Sequence, residues 1–180
     1  MSVISSRHWR EFVLPHLNNV CTELHRCCPD AKLYCQICGN VRPILEDLVE
    51  TGLDCIAPLD LLGGFSVAQA RQIVGPHMVL MGGVNTLSFV RSSPAEIHAE
   101  ALGCIGQGAV GGARYVLGSG CALPRDGRLE NLLALRDAAF ACASQPQPPE
   151  WSGGAPRAST AAGEDSTSGR DLNRAQERQA

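Results

Sequence analysis

Between residues 32 and 143 the chain alternates four times between a short continuous apolar run and a segment with helical spacing, and few folds satisfy that alternation. The apolar runs cover residues 32–38, 54–59, 78–84 and 113–118. Runs this short, apolar throughout rather than at every second position, suit strands buried on both faces. Each is followed by a helical segment with its own start or stop signal. Asn40 stands where an N-cap would open a helix over 41–51, and Gly52 would end it. Ser66 and Gln69 have capping-box spacing, and Gly75-Pro76 closes the helix they open. Ser93 and Glu96 repeat the box, with Pro94 at the favoured first helical position. A last helix is expected over 129–143. Ahead of the first strand, Trp9, Phe12, Val13, Leu17, Val20, Cys21 and Leu24 mark a helix over 7–27, with a kink expected at Pro15.

Strands that alternate with helices lie parallel, because the crossover helix returns the chain to the same end of the sheet. The expected fold is α/β: about four strand–helix units of a partial (β/α)8 TIM barrel. An open doubly wound sheet shares one rule with the barrel, that sites form at the C-terminal ends of strands. Composition changes near Ser144, and from there the chain is rich in Gln, Pro, Ser, Gly and Ala. Such a segment cannot bury enough apolar surface to offset the entropy of ordering it. The domain is therefore expected over 7–143, with a disordered tail over 144–180.

A formal net charge of −3 and an aromatic content of 4% supply neither a basic stripe nor stacking platforms, so nucleic acid is not an expected partner. No apolar run reaches membrane-spanning length, and residues 1–8 lack the basic-then-apolar order of a secretory signal. A cytoplasmic protein acting on a small-molecule substrate is expected. The nine cysteines, odd in number and without a secretory signal, do not read as a disulfide framework. Cys55, Cys104 and Cys142 lie in apolar periodic segments and read as small buried hydrophobes. Cys27-Cys28 closes a helix. The histidines, His8, His16, His25, His77 and His98, read as surface or structural, since none follows a strand end.

Cys35, Cys38 and Cys121 remain. Cys35-Gln36-Ile37-Cys38-Gly39-Asn40 ends the first strand, and Gly118-Ser119-Gly120-Cys121-Ala122-Leu123-Pro124 ends the fourth. Both motifs set a thiol beside glycines, which is expected to let a ligand or metal approach the backbone. Asp60 and Asn85 also follow strand ends. With Asn40 and Ser119 they are candidates for substrate contact, or else for satisfying loop backbone groups. A redox Cys-x-x-Cys would need its pair at a helix N-terminus, and Cys35 lies inside the strand.

These motifs, with Phe12-Val13-Leu14-Pro15, Pro43-Ile44-Leu45-Glu46-Asp47-Leu48, Glu50-Thr51-Gly52-Leu53-Asp54, Leu80-Met81-Gly82-Gly83-Val84 and Glu130-Asn131-Leu132, resemble the C-terminal half of the uroporphyrinogen decarboxylase (URO-D) superfamily. The resemblance is nearest to its zinc-dependent corrinoid methyltransferases. It implies a zinc site formed by a His-x-Cys and a distant Cys, where zinc activates a thiol to accept a methyl group from a corrinoid. Cys38 and Cys121 match the two cysteines, and Gln36 stands where the histidine is expected. An amide is a poor zinc ligand. Cys35 is a further thiol, but alternation along a strand turns it to the opposite face from Gln36 and Cys38. The decarboxylase branch implies porphyrin biosynthesis with no cofactor, and its histidine near the last strand is Ser119 here.

Four strands are half of such a barrel, so two sheet edges and one apolar face are expected to be open. The favoured expectation is that the sequence is part of a longer one. The alternatives are two copies forming a composite barrel, a separate polypeptide supplying the other half, or a non-catalytic remnant that binds a partner. In each case the isolated chain is expected to have little activity.

Overall fold

A computed structural model describes residues 4–143; the expected tail over 144–180 lies outside the described residues. Four strands, β1 (Tyr34–Gln36), β2 (Cys55–Leu59), β3 (Val79–Val84) and β4 (Tyr115–Ser119), form one parallel sheet in the order β1-β2-β3-β4. Spatial order equals chain order, with no point at which the winding reverses. That is the progression of a barrel wall.

Each strand starts later than its apolar run. At the first two, residues just before the strand hold the incoming chain: the Asp54 carboxylate accepts from the Leu33 amide at 2.9 Å, and the Asp54 amide donates to the Leu33 carbonyl at 2.9 Å. Pro58 lies inside β2 and has no amide to give, and the β2–β3 register shifts between Ile56 and Leu59.

The helices are α1 (Ser6–His8), α2 (Leu14–Cys27), α3 (Leu45–Glu50), α4 (Val67–Val74), α5 (Ser88–Arg91), α6 (Pro94–Gly108) and α7 (Leu129–Ala143). Pro15 does disturb the leading helix. The chain between α1 and α2 widens into a π-helical turn over Trp9–Val13, so that the Leu14 amide reaches the Trp9 carbonyl. The wide turn makes room where a proline ring would meet the preceding turn's carbonyl. Pro43 similarly opens a 3₁₀ turn, Arg42–Ile44, ahead of α3. Both capping boxes form as read, at Ser66/Gln69 and at Ser93/Glu96. Helix α5 has no signal in the pattern. It follows an Asn85 side chain that accepts from the Leu87 amide at 2.9 Å, and α7 docks on it through Asn131. The buried Asn131 amide nitrogen donates to the carbonyls of Phe89 at 3.0 Å and Ser92 at 2.9 Å.

Between sheet and helices lies the core: Leu45 and Leu48, Ile56 and Leu59, Val67 and Ala70, Leu80 and Val84, then Phe89, Ile97 and Ala101. Cys104 is buried there as expected, and burial with the charge of Glu100 pushes its thiol up to about 11. Among the described residues the other face of the sheet is open at its edge strands: Tyr34 is 58% and Val116 46% exposed, while their neighbours Cys35, Tyr115 and Leu117 pack on the core. Not all the apolar positions of the leading helix face inward. Trp9, Val13, Leu17 and Cys21 do, four residues apart, whereas Phe12, Val20 and Leu24 are exposed. Among the described residues no helix is long and apolar enough to cross a membrane.

Two polar devices hold the N-terminal ends of the strands. Arg71, buried on α4, donates to four carbonyls, those of Gly75, Met78, Gly108 and Arg114, at 2.7–2.9 Å. One guanidinium fork thus joins α4, the entry to β3, the end of α6 and the entry to β4. Replacing it by methionine leaves those acceptors without a donor, and a loss of about 3 kcal/mol in chemical denaturation is expected, with lysine restoring only part.

The second device is Asp54, which faces His25 at 3.4 Å and Lys32 at 3.4 Å as well as the Leu33 amide. Burial alone would raise its carboxyl, but the Leu33 amide and Lys32 outweigh burial and hold it below the usual carboxylate range. A depressed folded-state value stabilises the fold above the unfolded pKa of about 3.9, and that contribution disappears as pH falls through the folded value. Asp54→Ala is therefore expected to cost about 1–3 kcal/mol at pH 7. Its difference from the wild type should close in acid, as read by urea denaturation at pH 7 and pH 3.

Candidate functional site

Cys38 lies two residues beyond β1 and Cys121 two beyond β4, at opposite edges of the sheet. In a flat sheet the edge strands would be about 14 Å apart, three strand spacings. Yet the two sulfurs are 3.1 Å apart. The chain after β4 closes that gap by turning across the ends of β3 and β2. The Gly120 amide donates to the Val84 carbonyl at 2.6 Å. A Cβ on Gly120 would stand 2.9 Å from the Leu59 oxygen and 3.2 Å from the Asp60 Cα. Only glycine passes there. The Ser119 hydroxyl then donates to the Cys121 carbonyl at 2.6 Å, bracing the turn that carries the thiol.

From the other side, the loop after β1 rests on the loop after β2. A Cβ on Gly63 would stand 2.7 Å from the Gly39 oxygen and 2.9 Å from the Asn40 nitrogen. The Gly39 amide donates to Asp60 Oδ2 at 3.3 Å, and the Leu62 amide to Asp60 Oδ1 at 3.0 Å. The glycines beside the thiols were expected to leave room for a ligand or metal. At Gly120 that room is filled by the chain's own backbone, because three strand ends converge on it.

Gln36 and Cys38 share the exposed face of the first strand, and the Gln36 amide hydrogen-bonds the Cys38 thiol. Cys38 is pushed above the ordinary thiol range, first by its contact with Cys121, then by partial burial and the negative charges of Cys121 and Asp60; Gln36 pulls the other way. The cause is plain: a second sulfur ionising 3.1 Å from the first would face a like charge. Cys35 points to the opposite side and packs against the core, where burial and the neighbouring Cys21 raise its thiol. It does not join the pair.

The other candidate side chains are spent on backbone. Asn40 Oδ1 accepts from the Arg42 amide at 3.2 Å, and Asn85 Oδ1 accepts from the Leu87 amide in the turn ahead of α5. The Asn85 amide in turn donates to Glu100 of α6 at 2.7 Å. Glu100 escaped the sequence reading, and the backbone contacts of Gly63 and Gly120 were not foreseen, since nothing in their local pattern marks a contact with a loop so distant along the chain. Asp60 does both jobs, bracing two loops while lending its charge to Cys38.

A catalytic zinc needs three good protein ligands. Two thiols are suitable ligands, but Gln36 offers an amide, and among the described residues no group of three or more His, Cys, Asp and Glu side chains is placed to hold a metal. The spacing also disagrees, since two sulfurs bound tetrahedrally at ~2.3 Å would lie about 3.8 Å apart. The residues present do not fit a three-ligand zinc site.

The family model described as uroporphyrinogen decarboxylase (URO-D) matches residues 1–141. The chain belongs to the uroporphyrinogen decarboxylase family. Among solved structures, a methyltransferase from Methanosarcina mazei is similar with a TM-score of 0.66 and 25% sequence identity, over 78% of this chain and 39% of that one. This URO-D-family chain therefore spans about two-fifths of that methyltransferase, and its parallel sheet is a partial TIM barrel. No curated protein matches the sequence.

Crowding at Gly120 has a measurable consequence. Gly120→Ala drives a methyl group into fixed backbone and is expected to cost about 1–3 kcal/mol. Gly118→Ala serves as the control, because a Cβ there meets only ordinary contacts at 3.7 Å, and it should change stability by less than about 0.5 kcal/mol. Urea denaturation of the two variants distinguishes backbone crowding from a general intolerance of side chains on this loop.

Proposed function

We propose that this chain carries the C-terminal half of a barrel descended from a methyl-transferring member of the URO-D family, and that it does not turn over substrate by itself. The observation that carries this reading is the 3.1 Å approach of Cys38 to Cys121, two thiols 83 residues apart in the chain. In the resemblance drawn from the sequence, the methyltransferase branch has cysteines at these two strand ends. The decarboxylase branch has instead a histidine where this chain has Ser119, and Ser119 directs its hydroxyl to the backbone of Cys121. Porphyrinogen decarboxylation is the weaker reading for that reason. The similarity to a solved methyltransferase supports the same lineage.

The ancestral reaction would move a methyl group from a corrinoid to a zinc-activated thiol. With an amide at position 36, this chain's own residues leave the metal set one good ligand short. A small-molecule substrate would enter over the strand ends once the open face at Tyr34 and Val116 is covered by a second half-barrel, whether a further stretch of the same polypeptide, a second copy or a separate chain. Nine cysteines, none paired, suit the reducing cytoplasm.

Zinc content and methyl transfer test this together. Purified wild-type chain is expected to retain well below one zinc per chain after dialysis, and Gln36→His, by restoring an imidazole, to raise zinc affinity by about tenfold or more. Methylcobalamin and a free thiol should react no faster with the chain than without it. One zinc per wild-type chain, lost in Cys38→Ser and Cys121→Ser, would overturn the incomplete site. Methyl transfer above background by the wild-type chain would overturn the lack of turnover.

A further inference from the structure

The disagreement between the thiol pair and a zinc site leaves two cysteines with a geometry that suits different chemistry. Their sulfurs are closer than two zinc-bound thiolates would be, and they need move only about 1 Å to reach the ~2.05 Å of a disulfide bond. Each thiol is carried on a braced backbone. Ser119 and the Gly120–Val84 hydrogen bond hold the Cys121 turn, and the Gly39–Asp60 hydrogen bond holds the loop at Cys38. Cys38 is exposed to reagents and Cys121 is half-buried beside it, which is the arrangement of an attacking thiol with a resolving partner. Of the other cysteines, Cys21, Cys35 and Cys104 pack against the core.

We propose that Cys38 and Cys121 form a reversible intramolecular disulfide that ties the ends of the two edge strands, β1 and β4, across the rim of the sheet. The oxidant is a small soluble disulfide of the glutathione class. The Cys38 thiolate attacks one of its sulfurs; the oxidant's S–S bond breaks, and one small thiol leaves with the electron pair and takes up a proton. The Cys121 thiolate then attacks Cys38 Sγ, the mixed disulfide breaks, and the second small thiol leaves. In sum the two protein thiols give up two electrons and two protons, and the oxidant becomes two thiols. The product withdraws both sulfurs from any metal, so the oxidised and reduced chains differ in what their rim can bind. A cytosolic disulfide of this kind is a transient, redox-sensing one. The inference rests on the reading that the pair holds no zinc, and zinc is therefore measured on the same samples.

The test equilibrates the full chain with reduced and oxidised glutathione over a range of ratios, traps free thiols by alkylation, and maps linked peptides by mass spectrometry. As the oxidised fraction rises, the intact mass should fall by about 2 Da. The peptide bearing Cys38 should appear linked to the one bearing Cys121, and excess reductant should reverse both changes. Cys35→Ser, which alters a thiol in the same strand, should keep the link, whereas Cys38→Ser and Cys121→Ser should each abolish it. Glutathione held on Cys38 with Cys121 still free, or a link that persists in Cys38→Ser through Cys35, would overturn the proposal. Should a serine variant fail to fold, the wild-type linkage map decides alone. If a zinc-loaded wild-type chain resists oxidation and its metal-stripped form links Cys38 to Cys121, the metal-free reading fails while the disulfide assignment stands. No link in the metal-stripped form would sink the disulfide.

Discussion

The site depends on one steric fact, that backbone can pass over the ends of β2 and β3 only if no side chain is in the way. Gly120 sits against the Leu59 and Val84 oxygens, and Gly63 against Gly39 and Asn40. Close approach of these loops curls the strand ends toward one another and brings thiols from opposite sheet edges into contact. Hydrogen bonds from Gly120 to Val84 and from Gly39 to Asp60 then fix the approach. Without both glycines, three strand spacings would separate Cys38 from Cys121.

The same half of a barrel is finished on one side and open on the other. Its helix-facing surface has a dense apolar core and two buried polar clamps, Arg71 over four carbonyls and Asn131 over the end of α5. Its inner surface presents Tyr34 and Val116 to solvent, and among the described residues β1 and β4 each have one unpaired edge. A barrel wall gains its inner packing only when the remaining strands close it. The asymmetry explains how the outer half of the hydrophobic pattern is satisfied in a chain spanning 39% of a related enzyme.

Much of the fold was legible because it rests on local rules. Ser66/Gln69 and Ser93/Glu96 are capping boxes wherever they precede an apolar face, and both form here. The four apolar runs became four strands, and their alternation with helices made them parallel. Pro15 announced a disturbance, though not that it would take the form of a π-helical turn. Where the reading fell short, spacing was degenerate: Phe12, Val20 and Leu24 have helical spacing like Trp9, Val13, Leu17 and Cys21 but remain exposed. Helix α5 is too short for a periodic signal, and it follows from the turn at Asn85 and the docking of Asn131.

Of the candidate site, the sequence by itself determined which donors exist. Position 36 is an amide, positions 38 and 121 are thiols, and strand alternation turns Cys35 away from Cys38. These are matters of residue identity and of a two-residue period. Tertiary structure decided how closely Cys38 and Cys121 approach, that Asp60 lends its charge to Cys38, and that Gly120 is there for backbone rather than for ligand. Contacts between residues 83 positions apart depend on how far the sheet curls and where its loops cross, and no local pattern encodes either.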